Sequence, residues 1–175
     1  MTDSTQEREP TIYHYKLVRK IALRPEMKYS HLTTALMGVA VIGVLYGWMG
    51  LLYAVVGLLL MLVVHAVVLR ITLRRVDEPS ERRWAFRFEL PWIGPLPVMD
   101  TNLSLFRRLH LHLLLVGCCF AGLFYPWANT ALLVAMTYWH FWLIAPRLTL
   151  LLRTWREKGD GVIRLETEEV SYYHR

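Results

Sequence analysis

The sequence predicts an α-helical integral membrane protein with four transmembrane helices arranged as two hairpins, and with short cytoplasmic segments that are candidates for a small β-sheet. Two stretches, 29–69 and 109–146, contain no Asp, Glu, Lys or Arg over 41 and 38 consecutive residues. One crossing needs about 20 mostly apolar residues, so each stretch is long enough for two crossings and a tight turn. All 20 Lys and Arg residues lie outside these stretches. Both observations favour a membrane protein over a soluble enzyme or a disordered chain.

The distribution of positive charge predicts the orientation. Segments 1–28, 70–108 and 147–175 hold six, eight and six Lys and Arg residues, whereas the expected turns near 47–50 and 125–129 hold none. Lys and Arg beside a span stay cytoplasmic, so we expect a multi-pass protein of the inner or plasma membrane with both termini cytoplasmic. The expected segments are a cytoplasmic N-terminal segment 1–28, transmembrane hairpin 1 at 29–70, a cytoplasmic loop 71–106, transmembrane hairpin 2 at 107–148 and a cytoplasmic tail 149–175.

The cytoplasmic segments contain strand-like patterns. In 83–90 the bulky apolar residues occupy every second position, which is the period of a half-buried strand. Residues 11–18 and 161–173 are also rich in strand-favouring types. We expect the three segments to pair into one sheet against the membrane, because each alone would leave its backbone unpaired. The alternative is that the aromatic rings dip into the headgroup region. The proline-rich stretch 90–98 is expected to be a stiff connector.

Aromatic side chains in these cytoplasmic segments are the candidates for partner contact. An exposed strand edge is a natural docking site for a strand of another protein, and interfaces favour large aromatic residues. The residues predicted to contact a partner are Trp84, Phe86, Phe88, Trp92 and Tyr172.

Histidines near the spans suggest an alternative role. They lie in the cytoplasmic half of the predicted membrane region, where histidine usually faces the bundle or a cavity. His65, His112 and His140, on different helices, could hold haem or a transition metal. His110 and His112 cannot both point inward, since positions two apart on a helix differ by about 200°. The simpler explanation is hydrogen bonding between helices, and no metal-binding motif such as HExxH occurs. No cofactor is therefore predicted, with haem or a metal ion as the alternative.

Small residues predict where helices pack closely. Gly43 and Gly47 form a GxxxG pair, and Gly57 follows in the next predicted span. Such spacing lets two backbones approach each other. We expect the first two spans to pack together within one molecule, with a face between two copies of the chain as the alternative.

No pattern in the sequence predicts catalysis. There is no phosphate-binding glycine loop of the type GxxxxGK[ST] or GxGxxG, and no spacing of acids that implies paired catalysis. The expected function is a non-catalytic anchoring or assembly subunit of a larger membrane complex. Its expected partners are the lipid bilayer and other subunits, with a homo-oligomer as a further alternative and no nucleic acid. The alternative function is a haem- or metal-binding redox subunit of the membrane.

Overall fold

The computed structural model describes residues 16–157, 161–166 and 168–174. Strands and helices alternate irregularly along the chain. In order, the elements are β1 (Lys16–Ala22), α1 (Pro25–Leu73), β2 (Trp84–Glu89), β3 (Trp92–Pro97), β4 (Thr101–Asn102), α2 (Leu103–Leu123), α3 (Thr130–Arg153), β5 (Val162–Leu165) and β6 (Glu169–His174).

The prediction of four transmembrane helices arranged as two hairpins is wrong. The described residues form three helices, together with six strands in two antiparallel sheets. Two of these helices, α1 and α2, are long and apolar enough to span a membrane by length and composition. Although α3 has 24 residues, it is not one of them. Its Trp, Tyr and His side chains and Arg147 lower its mean hydropathy. The prediction of spans rested on the absence of charged residues, and it neglected the low hydropathy of uncharged Trp, Tyr and His.

A single glycine divides α1 into two parts. Gly47 has φ +62°, which glycine adopts at little cost because it has no Cβ. In the first part of α1, residue 31 contacts residue 142 of α3 and residue 34 contacts residue 138, so the residue numbers on α3 fall as those on α1 rise. In the second part, residue 57 lies against residue 135 and residue 65 contacts residue 140, so both numbers rise together. The two parts of α1 therefore run in opposite directions past α3, and the chain reverses at Gly47.

The three glycines predicted to pack helices have different environments. A Cβ on Gly47 would meet no atom within 4 Å, so this residue provides the reversal and no close packing. A Cβ on Gly43 would lie 2.8 Å from the side chain of Leu51, across the reversal. A Cβ on Gly57 would lie 3.0 Å from Cβ of Ala135, so Gly57 allows α3 to approach α1 closely.

The N-terminal strand and the tail pair in a four-stranded sheet with the order β1-β6-β5-β4. The predicted strand at 11–18 is described only from Lys16 onward, and its first five residues lie outside the described ranges. The strand-like stretch 83–90 does not join this sheet, although Thr101–Asn102 of the same predicted loop does so as β4. Instead, β2 pairs with β3 in a separate two-stranded sheet, so the expectation of one sheet formed by all three segments is wrong.

The proline-rich stretch forms a strand, which corrects the expectation of a simple connector. Pro95 lies opposite Phe86, and Pro97 lies opposite Trp84. The neighbouring pair, Arg83 and Val98, is a hydrogen-bonded pair, because Val98 N–H donates to the carbonyl oxygen of Arg83 at 2.9 Å. Pairs in an antiparallel ladder alternate, so both prolines occupy non-hydrogen-bonded positions where a missing N–H costs nothing.

The core joins the helices to the sheets. Between α1 and α3, a cluster of buried apolar residues includes Ile42, Met61 and Met136. A second cluster packs Phe106 of α2 against the four-stranded sheet through Tyr172. Both sheets thus lie at one end of the helices, and we refer to this part of the molecule as the sheet end.

Candidate functional site

Four polar side chains are buried within the layer formed by α1, α2 and α3, which we call the helical layer. His65 lies on α1, His110 on α2, and His140 and Arg147 on α3; none is more than 1% exposed. The charge of Arg147 lies near enough to act on both His65 and His110, where it would repel a protonated ring. We refer to these four residues as the buried polar cluster.

Helical periodicity places these side chains inside. His65 lies four residues after Met61 and four before Leu69, and both neighbours are buried. His110 similarly follows buried Phe106 by four residues. Residues four apart share one helix face, so each histidine belongs to the apolar stripe that faces the other helices.

Two histidines form a hydrogen-bonded chain across three helices. The distance from His65 Nε2 to His140 Nδ1 is 2.9 Å, and His140 Nε2 lies 3.1 Å from the carbonyl oxygen of Leu114. Since a carbonyl only accepts, His140 Nε2 donates to Leu114, and His140 Nδ1 accepts from His65 Nε2. Gly117 leaves room for this arrangement, because a Cβ there would collide with the ring of His140.

Arg147 connects α3 to the two-stranded sheet. Its Nη2 donates to the carbonyl oxygen of Ile93 at 2.8 Å, with that of Pro95 at 3.4 Å. Gly94, between these carbonyls, has φ +114°, and a Cβ there would lie 2.9 Å from Nη2. The close approach and the backbone conformation both require glycine at this position.

Arg147 has no acidic partner in the part of the chain that the structure describes. The ion pairs found there join Arg19 to Glu157, Lys20 to Glu169 and Arg164 to Asp100. Within the same part of the chain, Arg147 Nε and Nη1 are buried without a hydrogen-bond partner. Burying a charge without its counter-charge costs several kcal/mol, and the carbonyl oxygens of Ile93 and Pro95 offset part of that cost.

His110 carries an unused acceptor. Its Nδ1 lies 2.8 Å from the carbonyl oxygen of Phe106 and therefore donates to it, which leaves Nε2 with a lone pair. That Nε2 is buried and has no hydrogen-bond partner among the described residues. The ring packs against Phe106 and Trp84, with centroids 4.0 and 6.0 Å away. The aromatic contacts hold the imidazole in place beside the sheet end.

The histidines predicted as metal or haem ligands are only partly brought together. His65 and His140 meet, but their facing nitrogens are hydrogen-bonded to each other, and His112 is exposed on the opposite side of α2 from His110. Across the described ranges, no three His, Cys, Asp or Glu side chains lie close enough to hold a metal ion. The metal or haem alternative stays a prediction that this geometry does not support.

Sequence reasoning missed His110 and Arg147. Both carried a signal: His110 lies seven residues before Gly117 on the stripe of buried residues of α2, and Arg147 follows His140 by seven on α3. Seven residues are almost two helical turns, so each pair shares a face. Arg147 was instead interpreted as reaching for the membrane surface.

The five predicted partner-contact residues separate into two groups. Trp92 and Tyr172 are buried in the core and their rings do not reach the surface. Trp84 is half-buried against Phe106. Phe86 and Phe88 remain exposed on β2, with ring centroids 4.7 Å apart. The surface available to a partner is therefore this pair of phenylalanines.

Ion pairs connect neighbouring strands of the four-stranded sheet. Arg164 forms two hydrogen bonds with the carboxylate of Asp100, at 2.7 and 2.8 Å, and this bond and charge raise the pKa of Arg164. Lys20 Nζ lies 2.6 Å from Glu169 Oε2, and the hydrogen bond and the charge of Glu169 raise the pKa of Lys20 above 10.5. These pairs join β1 to β6, and β5 to the residue preceding β4.

Comparisons with known proteins give no family for this chain. No protein-family model, curated protein or solved structure matches it. Its function must therefore be argued from the geometry above.

Proposed function

We propose that the protein is a non-catalytic anchoring or assembly subunit of a membrane complex, with its helical layer in the bilayer and its sheet end at the cytoplasmic surface. The observation that carries this proposal is the exposure of the most apolar helix. In the most apolar part of α1, 28% of the residues are buried, whereas the core helix of a soluble protein is mostly buried.

Apolar side chains are exposed on all three helices, and we refer to them together as the apolar belt. They include Leu36, Leu59 and Val63 on α1 and Leu115 on α2, each more than half exposed. Soluble monomers rarely expose apolar patches larger than a few hundred Å². A lipid environment accounts for this surface, because hydrocarbon tails are as apolar as the side chains that they would contact.

Charge and aromatic residues support an orientation. The reversal at Gly47 and the turn after α2 carry no charge and expose Trp48, Tyr125 and Trp127. Aromatic rings of this kind favour the membrane–water interface, and Lys and Arg favour the cytoplasmic side. Because β1 and β6 pair in one sheet, the N-terminal strand and the tail lie at the same end. We therefore propose that this end is cytoplasmic.

The buried polar cluster supports a structural role rather than catalysis. Its hydrogen bonds connect α1 to α3, α3 to α2, and α3 to β3. Hydrogen bonds between helices in membranes contribute about 0.6 kcal/mol on average, and they also select one arrangement of the helices. The cluster thus holds the sheet end in a defined position on the helices, which suits a subunit that presents a surface to others.

Membrane insertion is tested by fractionating cells and washing the membranes at alkaline pH. We expect the chain to remain in the pellet and to dissolve only with detergent. Reporter fusions at 98–99 and at the C-terminus should both report the cytoplasmic side. Recovery from a detergent-free extract, or fusions on opposite sides, would contradict the proposal.

The role as a subunit is tested by gentle purification from native membranes and mass spectrometry of the companions. We expect defined companions that are lost on the Phe88→Ser substitution, because Phe88 is 77% exposed on β2. Val98→Ser, at another exposed apolar residue of the sheet end, is the matched control and should retain them. A monomer without companions would refute the assembly role and leave membrane insertion intact.

A further inference from the structure

We propose that a groove between the end of α1 and the two-stranded sheet binds the phosphate of an anionic phospholipid. This inference rests on the proposed insertion into a bilayer. The groove has a volume of about 480 Å³ and is lined by Arg70 of α1, by Arg74 directly after α1, by Arg82, and by apolar side chains that include Leu69 and Trp84. We call it the arginine groove.

The charge of the arginine groove favours an anion. Three guanidinium groups line it, and no acidic residue does. Two other polar cavities of the described chain differ, since Glu168 and Glu169 line both of them. Arginine matches phosphate well because its planar fork donates several hydrogen bonds in fixed directions.

One of the three arginines is already positioned by the backbone. Arg82 donates from Nε to the carbonyl oxygen of Val76 and from Nη2 to that of Asp77. Neither acceptor is an acidic side chain, so the charge of Arg82 is not neutralised by these bonds. Arg70 and Arg74 are four residues apart and exposed, so they project from the same side at the end of α1, and Arg82 lines the same groove. A phosphate bound in the groove would receive hydrogen bonds from these guanidinium groups.

The apolar wall of the groove continues into the apolar belt. Val63, Val67 and Ile71 lie four residues apart along α1 and are about half exposed, and Leu69 and Trp84 line the groove itself. Trp84 is fixed by a hydrogen bond from Nε1 to the carbonyl oxygen of Glu81 at 3.0 Å. A ligand with a phosphate and long acyl chains matches both features, whereas free phosphate would use only the arginines. This continuity identifies a lipid rather than a soluble anion.

The test uses the full-length protein in detergent and measures lipid retention by native mass spectrometry. The probes are phosphatidylglycerol, phosphatidylcholine and inorganic phosphate. We expect phosphatidylglycerol to bind more tightly than phosphatidylcholine. Combining Arg70→Gln, Arg74→Gln and Arg82→Gln should weaken binding of phosphatidylglycerol roughly 100-fold, because each cation near an anionic headgroup contributes about fivefold.

A matched control separates the groove from general attraction to positive charge. Arg75→Gln, Arg83→Gln and Arg108→Gln remove the same charge from exposed arginines that do not line the groove, and this variant should bind as the wild type does. If the groove triple variant fails to fold, Arg74→Gln alone gives the comparison with Arg75→Gln, because both side chains are exposed.

Three outcomes would overturn the inference. They are equal binding of the two lipids, equal weakening in the groove and control variants, and competition by inorganic phosphate as strong as that by phosphatidylglycerol. Each of these leaves the membrane proposal standing if the chain still fractionates with membranes. A chain recovered in the aqueous extract would instead refute the proposed function first.

Discussion

The helical layer and the sheet end accommodate charge in opposite ways. At the sheet end, Arg164 is half-exposed and bonds to a carboxylate. In the helical layer, Arg147 is fully buried and its hydrogen-bond acceptors in the described residues are backbone carbonyls of β3. At the exposed site a charge pairs with a charge, whereas the buried guanidinium group is hydrogen-bonded to main-chain oxygens. We therefore expect removal of the buried arginine to disturb the packing of the fold more than removal of the well-paired one.

The strongest test of the helical layer places a charge in the apolar belt. Leu59→Asp lies in the middle of the second part of α1, at a side chain that is 58% exposed. In lipid, Asp at a helix centre costs roughly 3 kcal/mol, whereas in water an exposed substitution changes stability by about 0.5 kcal/mol or less. We expect membrane-inserted protein to fall strongly. Val98→Asp at the sheet end is the control with nearly equal exposure and should insert normally.

The two arginines can be compared directly. Arg147→Ala removes a fully buried side chain and its bond to Ile93, so we expect a loss of roughly 2–3 kcal/mol in unfolding free energy. Arg164→Ala breaks a largely exposed ion pair and should cost less than about 1 kcal/mol. Unfolding in detergent followed by tryptophan fluorescence measures both. A larger loss from Arg164→Ala would reverse the comparison.

Two glycines of α2 test whether the ring of His140 needs the space beside Gly117. Gly117→Ala brings a methyl group into the ring of His140 and should destabilise by roughly 1–2 kcal/mol. A Cβ on Gly122 would meet no atom within 4 Å, so Gly122→Ala should be neutral or stabilise by up to about 1 kcal/mol. Equal effects on the unfolding free energy would show that the packing around His140 is loose.

The smallest expected effect concerns pH at the sheet end. Because Glu169 raises the pKa of Lys20 above 10.5, the amine stays protonated and its contribution to stability is complete below that pH and lost as pH rises through the raised pKa. Stability should not change through this pair between neutral and mildly alkaline pH. Acylation of Lys20, followed by mass spectrometry at mildly alkaline pH, should become a few-fold faster in Glu169→Gln. An unchanged rate would show that the pair does not hold the amine.

How much of this could be foreseen from the sequence depended on the kind of signal. The period of two in 83–90 located β2, and the position of Gly47 agrees with the expected turn at 47–50. The partner of β2 was not foreseen, because prolines in 90–98 argued against a strand and their tolerance depends on ladder register, which only pairing determines. All of β5, and all but the last residue of β6, fall in the strand-like stretch 161–173, but the place of β6 between β1 and β5 is a property of the folded sheet.

The polar cluster shows the same limit. His65 and His140 were foreseen as inward-facing, because a histidine in an apolar helix seldom faces lipid. The choice of His112 over His110 failed because two residues two positions apart are equally near the predicted boundary, and only the packing of α2 decides between them. Arg147 was not foreseen as buried. Its acceptors are backbone carbonyls of β3, and because every residue has a backbone carbonyl, residue types do not reveal which one will accept.

The bond between Arg147 and β3 has a mechanical consequence. A protein bound at Phe88 would contact the hairpin of β2 and β3, which Arg147 joins to α3 through the carbonyl of Ile93 and which Trp92 and Leu96 anchor in the core. A force applied to this hairpin is therefore transmitted to the helices rather than absorbed by a flexible loop.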